Sequence, residues 1–343
     1  MKYKKFGNTG MFVSQLCLGT MTFGGRGFWT SIGALEQETA NNIVARSVEA
    51  GINFIDTANV YSEGLAEKIL GQSLKDLKLE REDLIIATKV RGKMGEGPNQ
   101  VGLSRHHIFN SVEQSLKRLQ TDYIDLYQIH GYDRLTPLEE TLTALNDLVR
   151  SGKVRYIGCS NLMAWHIMKA LGISNKQNIS RFESLQAYYT IAGRDLERDI
   201  VPLLHDQKLA LMVWSPLAGG LLSGKFKKDS SGPEGARRST FNFPPVNMDK
   251  AYPIIDAMDE IAKSHGVSVA QVALAWLLSK KHVTTIIIGA KNLEQLNDNI
   301  KATELELTHD ELKKLNEISE LAEEYPGWMI NRQGVDRSKI LDE

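Results

Sequence analysis

The chain holds only two cysteines, Cys17 and Cys159, in 343 residues. Both fall inside strand-like runs, so a disulfide framework is excluded and a reducing, cytoplasmic setting is expected. It has no apolar run of the roughly 18 residues that a membrane-spanning helix needs. Neither sign of charge is in excess: the formal net charge is −1 and no block of Lys or Arg stands out. That balance argues against a nucleic-acid footprint. No apolar segment follows the opening "MKYKKFGNTG", so no signal peptide is expected. The histidines lack metal-ligand spacing, since His106 and His107 are adjacent at a helix start and point apart; no metal is expected. There is no low-complexity tract, no short repeat, and no GxGxxG after a strand to support a Rossmann domain.

What is present reads as an ordinary globular chain, 42% hydrophobic and 24% charged. The opening "KYKKFGNTGMFVSQ" predicts two short strands around Asn8-Thr9-Gly10, hence a hairpin. Apolar, β-rich runs then alternate with helical patterns. The strand candidates are 16–19, 52–56, 84–89, 123–130, 154–161, 184–187, 209–214 and 284–289. Helical spacing of apolar residues marks 38–50, 104–120, 137–151 and 251–265, among other segments. Several strand runs are apolar at consecutive positions, as in a parallel sheet covered on both faces. Alternation without a composition break favours an α/β fold, a closed (β/α)8 barrel forming one domain over residues 1–343. A doubly wound sheet is the rival, because periodicity does not show closure. Two stretches read as irregular: 218–248, rich in Gly, Ser, Pro and basic residues, and the tail from about 322 to 343.

Polar residues recur at the C-terminal ends of these strands. Asp56 ends the second, Lys89 the third and His130 the fourth. Ser160 and Asn161 end the fifth, Gln186 lies at the sixth, Trp214 ends the seventh and Gly289 the eighth. Any one of them alone reads better as a strand terminator or a satisfied core residue. Packing gives no reason for the whole set, whereas barrel enzymes build their sites on that rim. The stretch "FIDTANVYSEG" adds Tyr61, five residues after Asp56, in a loop-like turn.

With those residues in view, the chain resembles the aldo-keto reductases over nearly its whole length. The resemblance is carried by "GINFIDTANVYSEGLAEKILG", "IATK", "DLYQIH", "GKVRYIGCSN" and "WSPLAGGLLSGK". It implies a (β/α)8 barrel binding NADP(H), with a catalytic tetrad of Asp56, Tyr61, Lys89 and His130. Carbonyl reduction needs a hydride on carbon and a proton on oxygen. A tyrosine hydroxyl, with an ordinary pKa near 10, donates that proton readily only with help. A nearby Lys89 ammonium favours the tyrosinate, Asp56 holds the lysine charged, and His130 can donate a hydrogen bond to the substrate oxygen.

The segment "GGLLSGKF" imitates a phosphate loop, but Phe226 stands where a nucleoside triphosphate site needs Ser or Thr for magnesium. Backbone amides and a lysine can still cradle a pyrophosphate. The resemblance implies that Ser160, Asn161 and Gln186 hold the nicotinamide carboxamide and that Trp214 stacks on the ring. It assigns Gly19, Thr20, Met21, Ser215, Pro216, Leu217, Ala218, Gly219 and Lys225 to the cofactor groove. Gly289, Lys291, Gln295, Asp298 and Asn299 would frame the adenosine end. Gln295 stands where many relatives carry an arginine for the 2′-phosphate, which leaves Lys291 and Arg238 to supply charge. NADP(H) is therefore expected, with NAD(H) use open. Tyr61 and His130 would touch the substrate, with pocket walls from Phe23, Phe28 and Trp29, from the 218–248 loop, and from Trp328 and Met329 of the tail. The function implied is reversible reduction of an aldehyde or ketone, a small-molecule substrate. The second expectation is a redox-sensing regulatory subunit of the same fold, similar to channel-associated members, with slow or no turnover.

Overall fold

In the computed structural model, residues 1–226, 228, 238 and 241–338 are described. Two short antiparallel strands come first, β1 (Tyr3–Lys5) and β2 (Phe12–Ser14). Eight parallel strands then close into a barrel in the order β10-β3-β4-β5-β6-β7-β8-β9. They are β3 (Leu16–Gly19), β4 (Phe54–Asp56), β5 (Ile85–Val90), β6 (Ile124–Ile129), β7 (Val154–Ser160), β8 (Phe182–Tyr188), β9 (Ala210–Trp214) and β10 (Thr285–Ile288). Helices occupy the connections and cover the outside, so both faces of each strand are buried. That is why the strand sequences are apolar runs and not alternating ones. Closure settles the rivalry with an open sheet in favour of the barrel.

Two cores result. The larger lies between strands and helices, and the smaller fills the barrel with Phe6, Val13, Cys17, Phe54, Ala87, Leu126, Ala210 and Met212. Phe6 and Val13 come from the hairpin, which therefore stoppers the N-terminal end; Phe6 meets Phe54 edge to face at 5.8 Å. The hairpin turn presses against the floor of the barrel. Gly7 has φ 56°, and a Cβ there would stand 2.5 Å from the Glu183 carbonyl oxygen. With that end plugged, the open end is the C-terminal rim, where the polar residues collect.

Where the sequence suggests an irregular tail, residues Gly327–Ser338 form a helix. The Trp328 N–H donates to the Glu324 carbonyl and the Ile330 N–H to the Pro326 carbonyl. Pro326 thus sits at a helix start and does not end regular structure, as proline does in a first turn. Of the other irregular stretch, 218–248, residues Ala218–Ser223 form 3₁₀ turns. The helix α7 (Met248–His265) begins earlier than expected, with the Asn247 side chain accepting the Lys250 N–H. Residues 227, 229–237 and 239–240 of that stretch lie outside the described residues. Among the described residues no single helix is long and apolar enough to cross a membrane.

Gly7→Ala is expected to lower unfolding stability by about 1–3 kcal/mol, from the left-handed backbone and the clash with the barrel floor. A denaturant titration would read this as a lower midpoint, with catalytic parameters per folded molecule unchanged.

Candidate active site

The centre of the rim is a buried lysine. Lys89 lies near the end of β5, is 0% exposed, and directs all three ammonium hydrogens to acceptors. Its Nζ donates to Asp56 Oδ2 at 2.5 Å, to the Thr57 carbonyl at 2.9 Å and to the Tyr61 hydroxyl at 3.3 Å. Burial works against the ammonium, but the Asp56 carboxylate and then Tyr61 outweigh it, and the Lys89 pKa is raised above the ordinary lysine value. Asp56 ends β4, and its other oxygen, Oδ1, accepts from Gln128 Nε2 at 3.1 Å and Gln186 Nε2 at 2.9 Å.

Tyr61 opens a tight turn, Tyr61–Gly64, in which Ser62 (φ 48°) and Glu63 (φ 58°) are left-handed. Such residues cost about 1–3 kcal/mol each and need anchoring. The Ser62 hydroxyl donates to the Phe23 carbonyl at 2.9 Å. Helix α2 (Leu65–Asp76) follows the turn and carries Glu67, fully buried, which accepts from the Thr88 hydroxyl and from Arg118 Nε, both at 2.6 Å. Thr88 is the neighbour of Lys89, so the tyrosine turn is fastened to the strand that carries the lysine.

His130 follows β6 and meets the Tyr61 ring edge on at 5.8 Å. Burial, then the Lys89 and Arg91 charges, bring its pKa down to about 3. The imidazole is therefore neutral at physiological pH, able to donate one N–H. Asp56, Tyr61, Lys89 and His130 thus converge as the sequence suggests.

An aromatic wall rises from Tyr61. Trp29 packs on it at 5.3 Å, Phe28 on Trp29 at 5.7 Å and Phe241 on Phe28 at 5.0 Å. Phe243 continues the row at 5.6 Å from Phe241 and lies parallel to Trp214 at 5.8 Å and 7°. Sequence reading reaches Phe28, Trp29, Trp214 and the 218–248 loop, but does not single out Phe241 and Phe243 within that loop. Their signal is the "FNFPP" pair of phenylalanines inside a polar, irregular stretch.

Other expectations need correction. Phe23 is 0% exposed; it packs in the core and serves the site through its carbonyl, not as a pocket wall. Trp328 contacts Tyr325, and among the described residues no ring contact joins it to the aromatic wall. Met329 shares its helix, Gly327–Ser338, and so lies outside an irregular mouth loop. Arg238 is buried, and its Nη1 donates to the Ala218 and Pro244 carbonyls, which makes it a staple of the loop and not a free charge. Both Asp298 oxygens are taken, Oδ2 by the Ser268 hydroxyl and Oδ1 by Gln271 Nε2. Gln186 is not among these: it lies within β8, and its Nε2 donates to Asp56 Oδ1 and Gln128 Oε1.

The remaining groove residues stay together. Gly19 pairs with Asp56 between β3 and β4, and the Thr20 N–H donates to the Asp56 carbonyl, with Met21 beside it. Asn161 (φ 56°) donates through Nδ2 to the His130 carbonyl and Ser160 Oγ, and accepts from the Trp214 indole N–H at 3.0 Å. After β9, Ser215, Ala218, Gly219 and Gly220 all have positive φ, which coils the backbone beside Pro216 and Leu217. Lys225 is exposed just beyond. At the end of β10, Gly289 accepts from Asn299 Nδ2 at 3.4 Å, and the Lys291 N–H is held by Gln295 Oε1 at 3.0 Å. Lys291 itself is exposed ahead of helix α9 (Leu293–Lys301). No group of three metal-ligating side chains converges among the described residues.

A plugged barrel with a charged, hydrogen-bonded cluster at its C-terminal rim defines the class of α/β-barrel enzymes. The chain belongs to the aldo/keto reductase family, whose model matches residues 15–320. It is 40% identical to an uncharacterized oxidoreductase of Bacillus subtilis, over 93% of this chain and 96% of that protein. It is 35% identical to versiconal hemiacetal acetate reductase of Aspergillus parasiticus, over 92% and 96% of the two chains. Identity is 36% to a probable voltage-gated potassium channel subunit beta of Oryza sativa, over 89% and 92%. The chain is accordingly an NAD(P)H-dependent oxidoreductase acting on small molecules.

The residues present fit a nicotinamide cofactor. Ser160, Asn161 and Gln186 offer the hydroxyl and amide groups that suit a carboxamide, and Trp214 offers a flat face. Among the described residues, chain neighbours aside, no atom lies within 4 Å of where a Cβ would stand on Gly220 or Gly289, so the backbone is open there.

His130 is expected to stay neutral from pH 8 to about pH 4, because its folded pKa lies far below the ordinary 6.5. Imidazole NMR signals assigned with His130→Asn should show no titration near pH 6.5. The unfolded chain takes up this proton first, so His130 subtracts stability as pH falls from about 6.5 towards 3.

Proposed function

We propose that this chain is an NADPH-dependent carbonyl reductase, converting an aldehyde or ketone reversibly to the alcohol in the cytoplasm. One observation carries the reading: Lys89 Nζ bridges the Asp56 carboxylate and the Tyr61 hydroxyl inside a water-poor rim. A bound nicotinamide supplies the hydride. Tyr61 gives the proton to the carbonyl oxygen as negative charge grows there, and the Lys89 ammonium stabilises the tyrosinate left behind. Asp56 keeps that ammonium charged and fixed. Neutral His130 donates a hydrogen bond to the same oxygen and orients the carbonyl, a task its depressed pKa suits. The row Trp29, Phe28, Phe241 and Phe243 supports a flat, apolar group on the substrate, held by its ring faces.

For the cofactor, Lys291 supplies the cation for a 2′-phosphate, since Arg238 is engaged with backbone carbonyls. The regulatory-subunit reading draws support from the channel-subunit relatives of Oryza sativa and Arabidopsis thaliana, 36% and 34% identical. Absent turnover across a panel of aryl and aliphatic aldehydes and ketones would favour it.

Tyr61→Phe should keep NADPH binding and lose about 10²–10⁴-fold in carbonyl reduction. Steady-state NADPH oxidation measures this, and a variant within a few-fold of the parent would remove Tyr61 from the chemistry. Lys291→Ala should raise the Kd for NADPH by about tenfold and leave that for NADH nearly unchanged. Fluorescence titration with both cofactors checks it; equal losses would mean that Lys291 does not read the phosphate.

A further inference from the structure

The barrel interior one layer below Tyr61 contains an amide that the chemistry above does not use. Gln128 lies next to last in β6, in register with Lys89 of β5, and is 0% exposed. Its Nε2 donates to Asp56 Oδ1 at 3.1 Å, reaching past β5 to the end of β4. Its Oε1 accepts from Gln186 Nε2 at 3.3 Å, so the two amides brace each other over the carboxylate. Room for this reach comes from Gly158, which pairs with Gln128 on β7. A Cβ there would stand 3.3 Å from Gln128 Cγ and 2.5 Å from Ser184 Oγ.

A buried carboxylate only accepts hydrogen bonds, and each one it receives favours its charged form. Asp56 Oδ2 is committed to Lys89, so the rotation of the carboxylate depends on the donors at Oδ1. Gln186 is one of these, but it is also the residue read above as holding the cofactor carboxamide. Gln128 faces only the interior. We propose that Gln128 is a positioning residue for the proton donor: its amide keeps the Asp56 carboxylate turned, so that Oδ2 holds Lys89 against the Tyr61 hydroxyl. This rests on carbonyl reduction through Tyr61.

Two variants test it beside the parent and Tyr61→Phe. Gln128→Met keeps similar volume and removes the donor. It should leave the NADPH Kd near the parent value and lower kcat about tenfold or more. Gln128→Glu places a second carboxyl against Asp56, able to donate only when protonated. Its activity relative to the parent should therefore rise as pH falls, a trend that a packing role does not produce. Parent-like kcat in Gln128→Met, or a parent-shaped profile in Gln128→Glu, would overturn the proposal. If Gln128→Met does not fold, Gln128→Glu decides alone; if neither folds, Gln128 belongs to packing and the proposal fails. Loss of activity in Tyr61→Phe beside unaffected Gln128 variants would reject this inference alone. A fully active Tyr61→Phe would reject the underlying reading as well.

Discussion

An ammonium with no access to water has to be matched in charge and in hydrogen bonds, and the rim of this barrel is arranged around that requirement at Lys89. Breaking a buried ion pair by removing one partner typically costs about 3–5 kcal/mol, because the other charge is left unpaired. Asp56 is therefore obligatory once Lys89 is placed, and the carboxylate in turn demands the amides that satisfy its second oxygen. The Thr57 carbonyl and the Tyr61 hydroxyl take the remaining ammonium hydrogens. What results is a fixed positive charge aimed at one hydroxyl, with a neutral imidazole beside it. The strained turn bearing Tyr61 is held by Ser62, Glu67 and Arg118.

Chemistry and recognition come from different parts of the chain. Strand ends β4, β5 and β6 set the proton donor and its supports, and their positions are locked by parallel pairing. The aromatic row comes from connections: Phe28 and Trp29 after β3, and Phe241 and Phe243 after β9. Loops on a rigid scaffold can change without disturbing the barrel. That separation is consistent with relatives whose names range from a reductase of a hemiacetal acetate to a channel subunit.

The barrel was legible because its strands are buried on both faces and read as apolar runs ending in polar residues. The four converging residues were legible for a related reason: Asp56, Lys89 and His130 have no packing excuse at strand ends. Gln128 escaped notice although "DLYQIH" contains an amide in an apolar strand, since its partner lies two strands away and only closure brings them together. Arg238 was misread because a basic residue in a loop gives no sign of whether ligand or backbone carbonyls neutralise it. Phe23 shows that an aromatic next to a site can face inward as easily as outward. The tail reads as irregular from about 322, whereas Pro326 stands in a first turn, where proline begins a helix.

The central claim is that the buried Lys89 charge makes Tyr61 a proton donor to a carbonyl. The most direct measurement is single-turnover hydride transfer from prebound NADPH to an aryl aldehyde, comparing the parent with Lys89→Met. Loss of the ammonium should slow that step by at least about 10²-fold while NADPH affinity and the fold persist. A Lys89→Met protein that transfers hydride at the parent rate would contradict it.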